Sequence, residues 1–291
     1  MEYIGLDIGG TNIRVGKINQ KEELIFEHLE KTLENVTTAD DLYNKIKSLI
    51  KLVPNYKECR AIGIGAPGSI NKKTGNIETS QNISLLNNYP FIEKLTKEFD
   101  KPIILENDAR VAAFAEAISG DRKEKDIVCY ITISTGLGGG VIIDKKIYHG
   151  SNNLGAYFSR MILDGKNTAH QLISGTALTK KAQNKIDKNI KNTSELFELE
   201  KNNHSVAEEI IKEFKQNLTT LLLNISSTIN PDIIILGGGV MKSKDRFLSE
   251  VIDNFKKEAH PLAKNTIIET ANLQQPGIIG AALLAKSIIE K

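Results

Sequence analysis

The sequence predicts an α/β protein built from two similar halves. Two glycine-rich turns support this prediction, because each joins a pair of short apolar strands and opens a long stretch of apolar strands and helices. The first lies within Gly5–Gly16 and the second within Tyr130–Ile143. A unit repeated within one chain is typical of related halves that bind one ligand between them. A chain of 291 residues is long enough for two such domains.

Composition excludes several classes of protein. The chain is 40% apolar and 25% charged, with a formal net charge of +2, as is ordinary for a soluble globular protein. Lysines are spread along the chain, so we expect binding to neither nucleic acid nor a membrane surface. The first residues already form a strand and no window is long enough for a membrane span, so we expect a cytoplasmic protein without a leader. Cys59 and Cys129 are too few for a disulfide framework or a cysteine-rich metal site.

The first turn has residues that suit a bound phosphate. Gly9 and Gly10 lack a Cβ, so their backbone N–H groups can approach a bulky anion, and Thr11 and Asn12 add side-chain donors. Asp7 is a candidate to hold Mg²⁺ through water, since Mg²⁺ keeps several waters and takes one or two carboxylates. An ordinary tight hairpin would have the same residues, so the turn alone leaves both interpretations open.

The second turn repeats this pattern with Thr135, Gly136 and Gly138. A third glycine run follows the buried strand Ile233–Leu236, at the end of a strand where α/β sheets usually present ligands. We expect it to bind adenosine, although a tight turn between strand and helix would look the same. No Walker A sequence is present, which argues against a P-loop nucleotidase. The predicted adenosine contacts are Gly238 and Gly239.

The segment Gly63–Gly68 matches the dinucleotide fingerprint G-x-G-x-x-G. That fingerprint requires a helix to follow at once, but the polar run Ser69–Asn76 predicts a turn between strands. We therefore reject a dinucleotide site here.

Apolar periodicity and turn residues predict the remaining elements. Thr38 is expected to cap the first helix, Pro231 to end the longest one, and the polar segment 188–203 is left without an assignment. The predicted strands are 24–30, 61–64, 103–105 and 233–236, and the predicted helices are 41–53, one starting near Pro90, 109–118, 174–188, 206–229 and 277–289.

Asp108 is the candidate general base. It follows the strand 103–105 in the run Glu106-Asn107-Asp108, and a carboxylate at the end of a strand can accept the proton of a hydroxyl that attacks a phosphate. Phosphoryl transfer otherwise depends mainly on positioning and charge stabilisation. Asn107 or Asp108 could equally cap the helix that begins at Ala109, and composition does not separate these interpretations.

These stretches together resemble the ROK sugar-kinase family over nearly the whole chain. The resemblance implies a two-domain actin-like (ribonuclease-H-like) ATPase fold with an inter-domain cleft. We expect residues 1–119 to form the first domain, completed by a C-terminal helix at 277–291, and 120–276 to form the second. The matching motifs are Asp7–Asn12, Gly63–Gly68, Asn82, Glu106–Ala109, Ser134–Gly140, Ser174-Gly175 with Ala177-Leu178, and Gly237–Gly239.

The resemblance also implies an activity and roles for single residues. It implies an ATP- and Mg²⁺-dependent kinase that phosphorylates the 6-hydroxyl of a hexose, with Asp108 as the base and Asn107 as a sugar ligand. Gly65 and Asn82 are expected beside the sugar. ROK kinases are commonly dimers, and we expect a homodimer here.

The chain departs from the family pattern after the second turn. ROK kinases usually carry Glu-x-Gly-His there, with a sugar-binding Glu and a zinc-binding His, but this chain has Tyr157-Phe158-Ser159-Arg160. The cysteine-rich zinc loop is replaced by Asp164–Ala169, and a further sugar-binding Glu by His170. We therefore expect no zinc, and treat His149 and His170 as isolated histidines. We expect Tyr157, Arg160 and His170 to line the sugar site, and the loop to be ordered by the packing of Leu154, Phe158, Met161 and Ile162.

These substitutions bear on the choice of sugar. A sugar site that lacks hydrogen-bonding carboxylates discriminates less strictly between sugars with different hydroxyl groups. We therefore expect no strict selection of glucose, and room for an N-acetylhexosamine. The Ser-Thr-Gly opening of the second turn is similar to that of the family's N-acetylmannosamine kinases, so we expect N-acetylmannosamine as substrate. Alternatives are a glucokinase, another hexosamine kinase, or a sugar-binding ROK protein without catalysis. A ROK repressor is disfavoured because only six residues precede Asp7, where a DNA-binding helix-turn-helix would stand.

Overall fold

The computed structural model describes residues 1–290, which fall into two compact units. The first unit comprises Met1–Gly120, Ile147–Gly155 and the C-terminal stretch from Leu273, and the second comprises Asp121–Lys146 and Ala156–Asn272. Within residues 1–290, none of the helices is both long and apolar enough to cross a lipid bilayer.

The strands and helices alternate along the chain as an α/β sequence predicts. Their bounds up to the end of the third helix are β1 Tyr3–Ile8, β2 Asn12–Ile18, β3 Leu24–Lys31, α1 Ala39–Leu52, β4 Ile62–Ala66, β5 Ser69–Ile70, β6 Ile77–Thr79, α2 Phe91–Phe99, β7 Ile103–Asn107 and α3 Asp108–Ala117. The later elements are β8 Ile127–Ile133, β9 Leu137–Ile143, β10 Lys146–Ile147, α4 Ala169–Ile173, α5 Gly175–Lys185, α6 Thr193–Lys201, α7 Ser205–Ile229, β11 Ile233–Gly237, α8 Leu248–Glu258, β12 Ile267–Thr270 and α9 Pro276–Ser287.

The sheet of the first unit brings three strand ends to one edge. Its strand order is β3-β2-β1-β4-β7, with β1, β4 and β7 parallel and β2 antiparallel to β1. The register pairs Asp7 with Gly65 and Gly65 with Glu106. Because parallel strands end on the same side of a sheet, the residues after β1, β4 and β7 lie at a common edge.

Helix α9 lies directly against this sheet because glycines leave room for it. A Cβ built at Gly63 would overlap the carbonyl oxygen of Ala281, and one at Gly5 would overlap the carbonyl oxygen of Ile278. On the other side of the helix, a Cβ at Gly280 would overlap the carbonyl oxygen of Val111 in α3. Backbone therefore packs on backbone, and α9 completes the first unit from the far end of the chain.

The second unit repeats the architecture around its own core. Its sheet has the order β10-β9-β8-β11-β12, with β11 parallel to both β8 and β12. The long helix α7 buries an apolar face, and three aromatic rings meet beside it. The rings of Phe197, Phe214 and Phe247 have centroids 5.0 to 6.3 Å apart, in the range typical of packed aromatic side chains.

Most of the predicted elements are confirmed. Helix α1 begins after Thr38, whose hydroxyl accepts from the Asp41 N–H at 3.1 Å while the Asp41 carboxylate accepts from the Thr38 N–H at 2.8 Å. Helix α7 ends before Pro231, and β5 and β6 form a hairpin where the dinucleotide fingerprint would need a helix. Strand β7 is longer than predicted, because it continues through Glu106 and Asn107.

Two predicted regions differ from the structure. The polar segment left unassigned contains α6, which buries Leu196 and Phe197 against the core although the residues around them are polar. Two apolar residues are too few to show helical periodicity among so many charges. The C-terminal helix expected at 277–291 runs from Pro276 to Ser287, and Lys291 lies outside the described residues.

The first unit also includes a segment that the predicted boundary assigned to the second half. This segment, Ile147–Gly155, is called the strap below. The Arg110 guanidinium donates to the carbonyl oxygens of Asn153 and Gly155 at 2.7 and 3.0 Å, and the Asn153 amide donates to the carbonyl oxygen of Ile70 at 2.9 Å. These bonds join residues far apart in sequence, so local patterns do not reveal them.

The packing of α9 on the sheet leads to a prediction. We expect Gly63→Ala to lower the free energy of unfolding by about 1–3 kcal/mol, because the added methyl overlaps backbone that cannot turn away. Gly136→Ala is the control, since its Cβ would meet only the His170 ring, at 3.5 Å. Urea denaturation of both variants measures the difference, and equal midpoints would contradict this account of the packing.

Candidate active site

The carboxyl edge of the first sheet gathers several of the predicted site residues. Asp7 on β1, Gly65 on β4 and Glu106 on β7 lie side by side in register. Asn107 ends β7 and Asp108 begins α3, so the chain turns from strand to helix at this edge. A Cβ at Gly65 would come within 3.3 Å of Val111 on α3, so the glycine lets this helix approach the sheet closely.

The structure assigns the helix cap to Asn107. Its side-chain oxygen accepts from the N–H groups of Ala109 and Arg110 at 3.1 and 3.3 Å, and its amide nitrogen donates to the carbonyl oxygen of Gly68 at 3.1 Å. Asp108 is the first residue inside the helix, and its Oδ1 accepts from the Ala109 N–H at 2.8 Å. Since Asn107 already caps α3, the helix start does not depend on the carboxylate of Asp108 alone.

Desolvation sets the protonation of Asp108. The residue is partly exposed, but protein surrounds its carboxyl group closely, and burial raises its pKa from 3.8 to about 6, against the lowering effect of the hydrogen bond from the Ala109 N–H. The negative charge of Asp7 also raises this pKa, with a smaller effect than burial. A carboxylate with this pKa is ionised at neutral pH and basic enough to accept a proton.

Asp7 is recessed in a similar way. Burial raises its pKa, while the neighbouring Arg14 guanidinium, 3.6 Å from Oδ2, acts in the opposite direction. A Cβ at Gly277 would lie 2.6 Å from the Asp7 carboxyl carbon. The glycine at the start of α9 therefore gives Asp7 the space it occupies.

The first turn lies next to Asn82. The Gly9 N–H donates to the carbonyl oxygen of Asn12 at 2.9 Å, and the Thr32 hydroxyl donates to the carbonyl oxygen of Gly9 at 2.6 Å, which closes the turn. A Cβ at Gly10 would lie 3.1 Å from the Asn82 Cβ. The structure thus brings a predicted phosphate residue and a predicted sugar residue into contact.

Asn12 has an unsatisfied polar atom in this turn. Its Oδ1 is buried and has no hydrogen-bond partner among the described residues. Buried polar atoms are rarely left in this state. Thr11 is exposed on the same turn, so its hydroxyl is accessible from solvent.

Backbone hydrogen bonds also close the second turn, which lies in the second unit. The Ser134 N–H donates to the carbonyl oxygen of Gly136 at 2.9 Å, and the N–H groups of Gly175 and Thr176, at the start of α5, donate to Ser134 and Thr135 at 2.7 and 3.1 Å. Gly138 belongs to β9 and pairs with Thr132 on β8. The start of α5 therefore fixes the turn.

The third glycine run lies against the second turn. A Cβ at Gly239 would lie 3.5 Å from the Ser134 Oγ. Gly238 has a φ of +92° and packs on the carbonyl group of Ile133, so only glycine fits there. The structure thus brings together the second-unit residues predicted to bind nucleotide, which are Thr135, Gly136, Gly138, Gly238 and Gly239.

His170 lies beside this turn in the second unit. Its ring is the nearest group to a Cβ built at Gly136, and it lines a cavity of about 400 Å³ between α5 and α7. Thr176, Lys181 and Asn217 also line this cavity, which has the volume of a small-molecule site. Glu213 pairs with Lys181 at its wall.

The loop that departs from the family pattern is ordered partly as predicted. Phe158 is buried against Gly139 on β9, and Met161 packs on the core of the second unit. The prediction was wrong for Leu154 and Ile162, which are 56% and 51% exposed. Hydrogen bonds order this part of the loop instead of apolar packing. Local turns and caps can pair the backbone N–H groups of a loop without burying its side chains. These bonds are Lys166 N–H and Asn167 N–H to Asp164, and the capping box of Thr168 with Gln171.

Tyr157 and Arg160 lie on the surface of this loop. Tyr157 is 55% exposed and Arg160 is also exposed. Across residues 1–290, no cluster of three or more His, Cys, Asp and Glu side chains is arranged to hold a metal ion.

Sequence reasoning missed the partner of His149. This residue was treated as isolated, but its Nε2 lies 2.6 Å from the Glu106 Oε2. Glu106 is 6% exposed and also pairs with Arg110, at 3.3 Å. A glutamate at the end of a buried strand indicated that a partner must exist, but nothing in the sequence pointed to a histidine 43 positions away.

The raised pKa of Asp108 leads to a prediction about stability. Because folding raises this pKa from 3.8 to about 6, the folded protein loses stability as the pH rises between those values, and the loss persists above them. We expect Asp108→Asn to raise the free energy of unfolding by about 1–2 kcal/mol at pH 7, because it removes a desolvated charge. Denaturation at a series of pH values should show this gain disappear near pH 4, and a destabilised variant at pH 7 would contradict it.

Comparison with known proteins supports the predicted actin-like (ribonuclease-H-like) fold. The ROK family pattern matches residues 3–288. A glucokinase of Streptomyces coelicolor is 27% identical over 97% of both chains, and an N-acetylmannosamine kinase of Vibrio vulnificus is 27% identical over 82% of this chain and 83% of its own. A crystal structure of a ROK family glucokinase from Streptomyces griseus in complex with glucose and AMPPNP matches with a TM-score of 0.80 at 25% identity, over 99% of this chain and 100% of that one. The chain belongs to the ROK family.

Proposed function

We propose that this ATP-dependent sugar kinase phosphorylates the 6-hydroxyl of N-acetylmannosamine, with Asp108 as the general base. The observation that carries the proposal is the recessed carboxylate at the end of β7, with a pKa of about 6. Asp108 accepts the proton of the 6-hydroxyl while that oxygen forms a bond to the γ-phosphorus of ATP. The bond from the γ-phosphorus to the bridging oxygen breaks, and ADP leaves.

The sugar is held in the first unit by residues around this base. Asn82 and Asn107 bind sugar hydroxyls, and Gly65 lies beside the sugar at the end of β4. Asn82 is exposed beside Gly10, which supports its role as a ligand at the border of the phosphate turn.

The nucleotide is bound by the glycine-rich turns. Gly9, Gly10, Thr11 and Asn12 donate to phosphates from the first unit, through backbone N–H groups, the Thr11 hydroxyl and the Asn12 side-chain amide nitrogen. In the second unit, Thr135, Gly136 and Gly138 bind phosphates, and Gly238 and Gly239 face the adenosine.

Asp7 is suited to hold Mg²⁺ through water. Its carboxylate is close enough to that of Asp108 to raise the pKa of the latter, so a cation there relieves the repulsion between two negative charges. Mg²⁺ bound to ATP supplies charge neutralisation of the phosphates. Asp7 would hold the hydrated ion through its waters, and Arg14 holds Asp7 in place.

N-acetylmannosamine is proposed as the substrate because of the residues that replace sugar-binding glutamates. Tyr157 and His170 stand where ROK sugar kinases usually carry carboxylates that read sugar hydroxyls. Without those carboxylates the site discriminates less between hydroxyl patterns and accommodates an N-acetyl group. Tyr157, Arg160 and His170 are the proposed contacts on this side of the sugar.

Glucose is the second candidate substrate. It is favoured by the similarity to a glucokinase over 97% of both chains, whereas the match to an N-acetylmannosamine kinase covers 82% of this chain.

We also propose that the enzyme is a cytoplasmic homodimer, since dimers are common among ROK kinases. Size-exclusion chromatography with light scattering would test the oligomeric state.

The choice of sugar is tested by a panel of substrates. We expect the highest kcat/KM for N-acetylmannosamine among N-acetylmannosamine, N-acetylglucosamine, glucose and fructose, measured by coupled ADP release. The physical reason is that positions 157 and 170 carry no carboxylate that could accept hydrogen bonds from the glucose hydroxyls. If glucose were the best substrate, N-acetylmannosamine would be wrong as the substrate, but the protein would still be a sugar kinase.

The role of Asp108 is tested by its conservative variant and by pH. We expect Asp108→Asn to lower kcat by about 10²-fold or more, since general base catalysis contributes about 10²–10⁴-fold. For the wild type, kcat should rise with pH through about 6, because only the ionised carboxylate accepts a proton. Equal ATP consumption by wild type and variant would make Asp108 irrelevant to the reaction.

A further inference from the structure

The strap, Ile147–Gly155, is held against the first unit by several independent bonds. Arg110 donates to two of its carbonyl oxygens, the Asn153 amide donates to Ile70, and the Lys72 ammonium donates to the Ser151 carbonyl oxygen at 3.3 Å. The Gly155 N–H donates to the carbonyl oxygen of His149 at 2.8 Å, which closes the strap on itself. None of these five bonds involves the His149 side chain, and four of them join the strap to the rest of the first unit, so the strap has anchors beyond its imidazole.

Glu106 is an ionised carboxylate at the end of β7. Burial alone would raise the pKa of Glu106, but the hydrogen bonds from His149 and from the Asn107 N–H outweigh burial and lower it. Its Oε1 accepts from the Asn107 N–H at 2.7 Å and from the Arg110 guanidinium at 3.3 Å. Its Oε2 lies 2.6 Å from the His149 Nε2. Each carboxylate oxygen therefore has a donor.

The ionised state of Glu106 fixes the tautomer of His149. A carboxylate only accepts hydrogen bonds, so the His149 Nε2 must carry the proton that lies between them. The imidazole is 42% exposed, so its other edge meets solvent while Nε2 is committed to Glu106. Among the described residues, the polar partner of the imidazole is the Glu106 carboxylate.

We propose that His149 is a positioning residue for phosphoryl transfer. Its Nε2–H holds the Glu106 carboxylate, which in turn holds the Asn107 N–H at the point where β7 becomes α3. Asn107 caps α3, and the next residue is Asp108, so the bond from the strap fixes where the base points. This inference rests on the proposed function, in which Asp108 accepts the proton of the sugar.

Removing the His149 imidazole perturbs the hydrogen bonds of Glu106 more than it perturbs the position of the strap. Without it, the Oε2 of a carboxylate that is 6% exposed loses a charge-assisted hydrogen bond. A buried carboxylate left without a donor turns toward another donor, takes in water or binds a proton. Rotation of the carboxylate moves the Oε1 that the Asn107 N–H contacts, and a bound proton makes that oxygen a weaker acceptor. A shift of about 1 Å in a reacting group can lower the rate by about 10²-fold.

The chain offers a matched control for this substitution. His28 and Glu30 form a second His–Glu pair in the first unit, with the Nε2 3.3 Å from the Oε1 and both side chains about 40% exposed. This pair lies on β3, which is at the edge of the sheet opposite β7. His28→Ala therefore removes the same side chain from a similar pair without touching β7.

The test compares kcat and KM for His149→Ala, His149→Gln and His28→Ala with the best sugar of the panel. We expect His149→Ala to lower kcat by about 10- to 100-fold, with the KM for ATP within about twofold of wild type. His149→Gln should recover most of kcat, because its amide places a donor near the position of Nε2. His28→Ala should match wild type. An unchanged kcat in His149→Ala, or equal loss in the Ala and Gln variants, would overturn the inference.

A second measurement separates this inference from the proposed function. If the wild type turns over none of the sugars, the proposed function fails, and amide hydrogen exchange then tests His149 without substrate. We expect faster exchange of the Ala109 and Arg110 amides in His149→Ala than in His28→Ala, since both amides donate to the Asn107 cap. Exchange within 147–155 should rise less, because of the other anchors of the strap. Equal exchange at the start of α3 in both variants would overturn the positioning role.

Discussion

Desolvation of two carboxylates is the main electrostatic constraint at the carboxyl edge of the first sheet. Asp7 and Asp108 both lie where protein displaces water, and the charge of Asp7 raises the pKa of Asp108. Such an arrangement costs stability, and it persists because β1, β4 and β7 end in register and carry their side chains to one edge. Arg14 compensates Asp7 only in part, at 3.6 Å. Two carboxylates at this edge therefore give it a local negative charge that Arg14 offsets only in part.

Glycines make this arrangement sterically possible. Gly277 leaves space for the Asp7 carboxyl group, and Gly63 allows α9 to pack on the sheet backbone. In the second unit, Gly238 and Gly239 pack against the turn after β8. The glycines that looked like phosphate ligands and those that only permit packing have the same appearance in a sequence. Only their neighbours in the structure distinguish them.

The sequence could predict what depends on local pattern. Apolar residues at helical spacing, with Thr38 as a cap, predicted α1. The run Glu106-Asn107-Asp108 was expected at the end of a buried strand. The pairing of His149 with Glu106 and the docking of the strap could not be predicted, because they depend on contacts between residues about 40 or more positions apart. Helix α6 was missed for a different reason, since only Leu196 and Phe197 of its polar sequence are buried. The exposure of Leu154 and Ile162 shows that an apolar side chain in a loop need not order it.

The account depends on Asp108 being ionised at neutral pH with a pKa well above that of an ordinary aspartate. Carbon-13 NMR of the side-chain carboxyl groups, with Asp108→Asn used to assign the resonance, measures this directly across a pH titration. The account predicts a midpoint of about 6 for that resonance. A midpoint near the ordinary value of 3.8 would mean that the carboxylate is well solvated, and would contradict the central claim.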